Sequence, residues 1–405
     1  MKKLFLALLL LSTSCARPTQ SSRGANGLGM AIIGSDYKST VVSLADPVKG
    51  TLTQDDCIDS GSVAPTLSFA LSGDTVLSSQ TQANHELLLI DRTNTALDFI
   101  APKTCQVDRQ ISVGTGFYSN PRDVVSISAT KAYVTRFETN PHPSGAPNAN
   151  DQGNDLLIIN PASGAITGRI DMAPYATPVD GAVIQARPDR AFLAAGRVYV
   201  TLSNLSADFK IAGAGRVVMV DPVKDAVTGV IDLPGYKSCS GIDYVDSTAT
   251  LIVGCSGDYN LATSGQVAQS ALVEIDIGAS PPAIKNVIAA SATGGRPISS
   301  AFAVAGTHLV VVATSGDFSG TPADSLWALD LTSGSATKII DGGGSFVFGG
   351  IAWDAQTERV FVADASTPTP VIRIFDVTTP SAVRQVSSFV ANPKSGLPPL
   401  LIGWY

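Results

Sequence analysis

The sequence predicts an all-β protein, a seven-bladed β-propeller built from four-stranded antiparallel blades. Three observations carry that reading. Seven times an apolar run ends in Asp or Asn and passes straight into a turn, at Asp46, Asp91, Asn160, Asp221, Asp276, Asp330 and Asp376. Each turn is preceded by another strand-like run and followed by a third. The 37 Gly and 24 Pro among 405 residues favour many short strands over long helices. A repeat too small to bury its own core must stack on its neighbours, so regular repetition overrides the two or three domains that length alone suggests.

The chain begins as an exported protein would. Lys2 and Lys3 form a basic start, Leu4 to Leu11 an apolar stretch and Ser12 to Ser14 a run of small residues, the three parts of a secretory signal. Cys15 follows at once, and the segment resembles a bacterial lipoprotein signal, in which that Cys is acylated and becomes the mature N-terminus. Ser12 departs from the pattern, standing where such signals carry Leu, Val or Ile; ordinary cleavage nearby would instead release a soluble protein. Ala16 after the Cys, rather than Asp, resembles outer-membrane retention, with the domain facing the periplasm or the surface. Residues 17–27 are polar and read as a flexible tether, able to reach about 35–40 Å when extended. The propeller is expected over residues 28–405.

The net charge of −7 becomes more negative when the signal is removed, leaving 25 basic against 34 acidic side chains. Such a chain, without a basic run, is a poor partner for nucleic acid or for anionic lipid headgroups. The membrane partner implied here is reached through the lipid anchor alone.

The repeat is visible strand by strand. The runs before the turns are Met30–Ile33, Val76–Ser78, Ala132–Thr135, Arg197–Thr201, Leu251–Gly254, Leu309–Ala313 and Arg359–Ala363, all rich in β-branched or apolar residues. Strands such as 165–170 and 226–231 follow the turns. A leading strand opens each unit, often just after a proline (Pro65, Pro121, Pro297). The 378 residues from Leu28 onward allow 54 per blade. The first unit lacks its leading strand, and the tail Pro399–Tyr405 matches one. It is expected to pair beside Met30–Ile33 and close the ring, removing the free sheet edges.

Four cysteines remain in the mature chain, an even number that suggests two disulfides in an exported protein. Cys239 and Cys255 flank two alternating runs joined near Ser247, the midpoint of the two positions, so a hairpin turning there sets them opposite each other. Cys57 and Cys105 are left for one another, each placed a little past the last strand of adjacent repeats.

Runs such as Arg197–Thr201 (RVYVT), the VVMVDP turn with its TGVIDL strand within 216–233, and 155–171 (DLLIINPASGAITGRID) resemble the YVTN-type repeats of bacterial propellers. The resemblance extends over essentially the whole mature chain, most closely to propeller lipoproteins of Gram-negative bacteria without established activity. It implies the fold and an exported setting. It does not imply one function, because the group holds binding proteins, lactonase-like enzymes and redox-enzyme subunits.

Candidate function falls on the connections between second and third strands, which are long and varied, whereas the turns after the repeated Asp or Asn are tight. Ser206–Phe209, Ser256–Tyr259 and Ser315–Phe318 place an Asp and an aromatic at equivalent points of three successive blades: Asp208 with Phe209, Asp258 with Tyr259, and Asp317 with Phe318. Asp36 heads a shortened version, and Glu138 and Asp364 lie nearby in two other blades. Together they would form a rim of carboxylates and aromatics suited to a cation, a cationic peptide or a sugar. The structural reading of the same residues makes them turn caps and plugs between blades. The insertion 138–155 carries Asn148, Asn150, Asp151, Asn154 and Asp155, which raises Ca²⁺ as a divalent candidate, although no Glu closes the loop as an EF-hand requires. Only His85, His142 and His308 are present, and no Cys-x-x-Cys-His haem attachment occurs. With no catalytic residue indicated, the expected function is a membrane-anchored binding or protein-interaction scaffold. The alternative is a lactonase-like hydrolase using carboxylates at the channel mouth, which would need two of them, or one and a cation, to converge.

Overall fold

The computed structural model describes residues 29–405 except 83, 147–148, 317–321 and 367. Cys15, Asp317 and Phe318 therefore lie outside the described residues. The chain forms seven four-stranded antiparallel sheets arranged around one axis. The strands nearest the axis are Pro399–Trp404, Thr75–Leu77, Pro121–Ser128, Pro188–Ala194, Cys239–Val245, Ile298–Ala305 and Phe348–Asp354, for blades 1 to 7 in turn. Among the described residues no helix is long and apolar enough to cross a membrane.

The ring closes as the tail pattern predicts. Pro399–Trp404 pairs antiparallel with Met30–Ser35, setting Met30 against Trp404 and Ile32 against Ile402. Blade 1 thus takes one strand from the C-terminus and three from the N-terminus, the last of which, Thr51–Asp59, is its outer strand.

The hydrophobic core lies between the blades, in seven clusters that each draw on two neighbours. Alternate residues of one strand serve opposite interfaces. In blade 4, Val217 and Met219 pack toward blade 5, while Val218 and Val220 pack toward blade 3. Both faces are buried, so the middle strands read as continuous apolar runs rather than alternating ones.

The repeated Asp or Asn ends these runs for a local reason. Its side-chain oxygen accepts the amides two and three residues on: Asp46 from Val48 (2.9 Å) and Lys49 (3.1 Å), Asp221 from Val223 (2.8 Å) and Lys224 (3.2 Å). Asn160, Asp276 and Asp330 repeat this pattern. Six of the seven expected turns join third and fourth strands.

Blade 2 differs from the sequence expectation. The Thr75–Leu77 strand is the innermost, Leu87–Asp91 the second, Ala96–Ala101 the third and Gln106–Ser112 the outermost. Asp91 caps the hairpin between second and third strands, and the segment after Pro65 forms no strand. The turn equivalent to the others is 101–105, where Ala101 offers only its backbone carbonyl to Cys105 (2.9 Å). An Asp cap closes any tight reversal, so the motif alone does not say which hairpin it closes.

Both disulfides pair as expected, Cys57 with Cys105 and Cys239 with Cys255. Cys239 and Cys255 stand directly opposite in the hairpin. Cys57 lies within the outer strand of blade 1 rather than past it, and Cys105 in the third turn of blade 2, so this bridge staples two blades together.

Candidate functional site on the loop face

Six of the seven connections between second and third strands rise on one face of the ring, with the tight Asp91 hairpin as the seventh. Among the described residues, the predicted carboxylates on this face are each occupied locally. Asp36 accepts the amides of Ser39 (2.8 Å) and Lys38 (2.9 Å), which hold its carboxyl below the usual range. Asp208 accepts the Ser206 hydroxyl (2.7 Å) and the Lys210 amide (3.3 Å), with the same effect, the hydroxyl leading. Asp258 is buried and takes the Asn260 amide (3.0 Å) and side chain (3.2 Å), with Lys237 Nζ at 3.6 Å. Asp364 accepts the Ser366 amide (2.9 Å) and pairs with Arg373 Nε (2.5 Å). Glu138 Oε2 meets Arg187 Nη1 at 2.8 Å.

The structure brings Glu138, Phe209 and Tyr259 together but leaves Asp36 and Asp364 on other blades. Phe209 sits in a left-handed conformation (φ 63°) with its ring half-exposed. The Tyr259 hydroxyl and the Asn260 side chain both donate to its carbonyl at 2.9 Å, tying the loop of blade 4 to that of blade 5. Its ring stacks on Phe137, centroids 6.3 Å apart and planes 14° from parallel.

Three residues absent from the sequence expectation complete the cluster: Arg122, Phe137 and Arg187. The Arg187 guanidinium lies 4.0 Å from the Phe209 ring and 4.9 Å from the Phe137 ring. Its amide is fixed by Asn154 Oδ1 (2.7 Å), its Nη2 donates to Ala207 O (3.2 Å), and its side chain is fully buried. Arg122 heads the inner strand of blade 3, and its guanidinium lies 4.2 Å from the Phe137 ring. A signal for both was present in the sequence. Arg122 and Arg187 flank Pro121 and Pro188, the prolines that open two inner strands, and Arg296 beside Pro297 repeats the arrangement.

The insertion is fixed from within. Arg136 and Asp155, both fully buried, form a two-bond pair (Nε–Oδ1 2.8 Å, Nη2–Oδ2 2.7 Å), and Arg136 Nη2 also donates to Asn150 O (2.7 Å). Asp155 is thus a strand residue committed to arginine, and Asp151 accepts the Ser144 amide (2.8 Å). Among the described residues no group of three or more His, Cys, Asp or Glu is placed to hold a metal ion. Glu86 is likewise committed, to Arg109 through two 2.7 Å bonds rather than to the adjacent His85.

Along the axis runs a cavity of about 180 Å³, lined by small inner-strand residues such as Gly241, Gly349, Gly350 and Gly403 and by Arg190. A Cβ at Gly350 would stand 2.6 Å from the Ile402 amide nitrogen, so close strand packing narrows the channel here. The connection after the short Thr75–Leu77 strand crosses toward blade 4, where Gln80 exchanges two bonds with the Leu193 backbone (2.8 and 3.3 Å).

No family model and no curated protein matches the chain. Solved structures do match in fold. The periplasmic gluconolactonase PpgL of Pseudomonas aeruginosa is 11% identical over 93% of this chain and 98% of its own, with a TM-score of 0.57. A functionally unknown protein from Desulfotomaculum acetoxidans is 11% identical, covering 90% of this chain and 95% of its own, with a TM-score of 0.51. The dihydro-heme d1 dehydrogenase NirN is 12% identical, covering 97% and 78%, also at 0.51. What they share with this chain is the propeller architecture.

Proposed function

We propose that this protein is a non-enzymatic binding module that uses its loop-rich face, held at a membrane through Cys15. The carrying observation is the state of the carboxylates. Asp36, Glu138, Asp208, Asp258 and Asp364 each serve a turn or an arginine, and they sit on different blades instead of converging on one point. Hydrolysis of the lactonase type needs a free carboxylate beside a second one or a cation. The same face presents Phe209, Ile211, Tyr259 and Leu261, all partly exposed, on the linked loops of blades 4 and 5. Aromatic and apolar groups on a rigid frame suit recognition. The two disulfides support an oxidising, exported setting.

The test is a thermal-shift screen of the domain against glycans, peptides and small acids, with Phe209→Ala and Tyr259→Ala in parallel. A ligand at 100 times its dissociation constant should stabilise the fold by about 2.7 kcal/mol, and both variants should lose that gain. Lactone turnover by wild type that survives in both variants would overturn the reading. Membrane fractionation of Cys15→Ser checks the anchor: the variant should appear in the soluble fraction.

A further inference from the structure

We propose that the loop face carries an oxyanion site at Arg122, which takes the carboxylate of a small organic acid. The inference rests on the reading of this face as a binding surface and reverses the sign of ligand that the acidic rim suggests.

Other arginines on this side of the ring meet an acid or a carbonyl through their terminal nitrogens: Arg92 with Asp74, Arg136 with Asp155, Arg187 with Glu138, although its Nε is unpartnered, and Arg190 with the Leu77 and Arg122 carbonyls. Among the described residues Arg122 has no carboxylate within ion-pair distance and makes no side-chain hydrogen bond, and its Nε is buried without a partner. One face of its guanidinium is covered by Phe137. That contact leaves the planar fork in place with Nη1 and Nη2 free, an end that can meet a carboxylate through two parallel bonds, while the buried Nε faces inward.

Arg92, Arg187 and Arg190 each have an acidic neighbour within ion-pair distance, Asp74, Glu138 and Asp189 in turn, and Arg122 has none of its own. Burial and the nearby Arg92 and Arg190 weigh against its charge, and Asp189 offsets them only in part. A partly desolvated cation without an ion-pair partner gains more from an anion than a fully exposed one would. Tyr118 stands beside it, half-exposed; burial raises its hydroxyl pKa, so the group remains a donor across the physiological range. The cluster thus combines the Arg122 fork with the Tyr118 hydroxyl as donors.

Isothermal titration of the intact domain with benzoate, citrate and inorganic phosphate tests this, with benzamide as the neutral control. Three proteins are compared: wild type, Arg122→Gln, and Arg197→Gln, which removes an exposed arginine elsewhere. Expected are binding of at least one oxyanion and none of benzamide, a loss of tenfold or more in Arg122→Gln, and no change in Arg197→Gln. Arg122→Gln should melt no lower than wild type, because it removes a partly buried charge that has no ion-pair partner; a purely structural arginine would leave the variant less stable. Absence of oxyanion binding in wild type, or equal affinity in Arg122→Gln, overturns the proposal. A ligand that needs Phe209 and Tyr259 but is indifferent to Arg122 would sink the anion assignment alone and leave the binding face standing. Preference for phosphate over both carboxylates would overturn the carboxylate assignment.

Discussion

At the scale of single residues, two buried charges set the behaviour with pH and mutation. Asp98, on the third strand of blade 2, is fully buried, and only Gln110 Nε2 (2.7 Å) meets its Oδ1 while Oδ2 has no partner. Burial raises its pKa from the ordinary value to about 7. Between the unfolded value near 4 and about 7 the folded chain holds a proton that the unfolded chain has lost. Stability from this group is therefore present below pH 4 and is lost as pH rises to 7, by at most about 1.4 kcal/mol per unit. Asp98→Asn should flatten that slope and raise the melting temperature at pH 8, as read by calorimetry from pH 4 to 8. Arg136 shows the opposite case. Removing it in Arg136→Ala strands Asp155 in the interior, and urea unfolding should report a loss of about 3–5 kcal/mol. Replacing both partners with apolar residues should cost less.

At the scale of elements, the disulfides close loops of different length. In the loop-entropy account the 48-residue separation of Cys57 and Cys105 contributes about 4 kcal/mol, and the 16-residue separation of Cys239 and Cys255 about 3 kcal/mol. Serine pairs at each site, compared by denaturant midpoint, should destabilise in that order. The Cys57–Cys105 staple joins blade 1, completed by the C-terminal strand, to blade 2, whose inner strand has only three residues. The blade 2 departure was partly legible. Taking the turn at Ala101 instead of Asp91 evens the intervals between successive turns along the chain, a signal weaker than the Asp itself. The Cys239–Cys255 pairing was fully legible, because a hairpin with a known midpoint places partners by arithmetic.

At the scale of the whole molecule, stability rests on closure. Each inter-blade cluster needs both neighbours, and the last interface exists only while Pro399–Trp404 stays beside Met30–Ser35. Deleting residues 399–405 should abolish cooperative unfolding by circular dichroism rather than merely lower the midpoint, since two interfaces open at once. Gly350→Val should act in the same direction, because its side chain would collide with the closing strand. What the sequence alone determined was the architecture, the ring closure and both disulfides. These follow from local patterns: which residues alternate, which side chains cap a reversal, and which terminus lacks a partner strand. The chemistry of the loop face was decided only in three dimensions. Asp208 and Asp258 look like a recognition rim in sequence, yet their oxygens are taken by residues two positions away. Arg122 and Arg187 are marked in the sequence only by the adjacent Pro121 and Pro188, and Phe137 by nothing, because the contacts that define them join an inner strand, its neighbour and a loop of the next blade. Whether a charge is paired is a property of distance in space, and only the folded ring sets that distance.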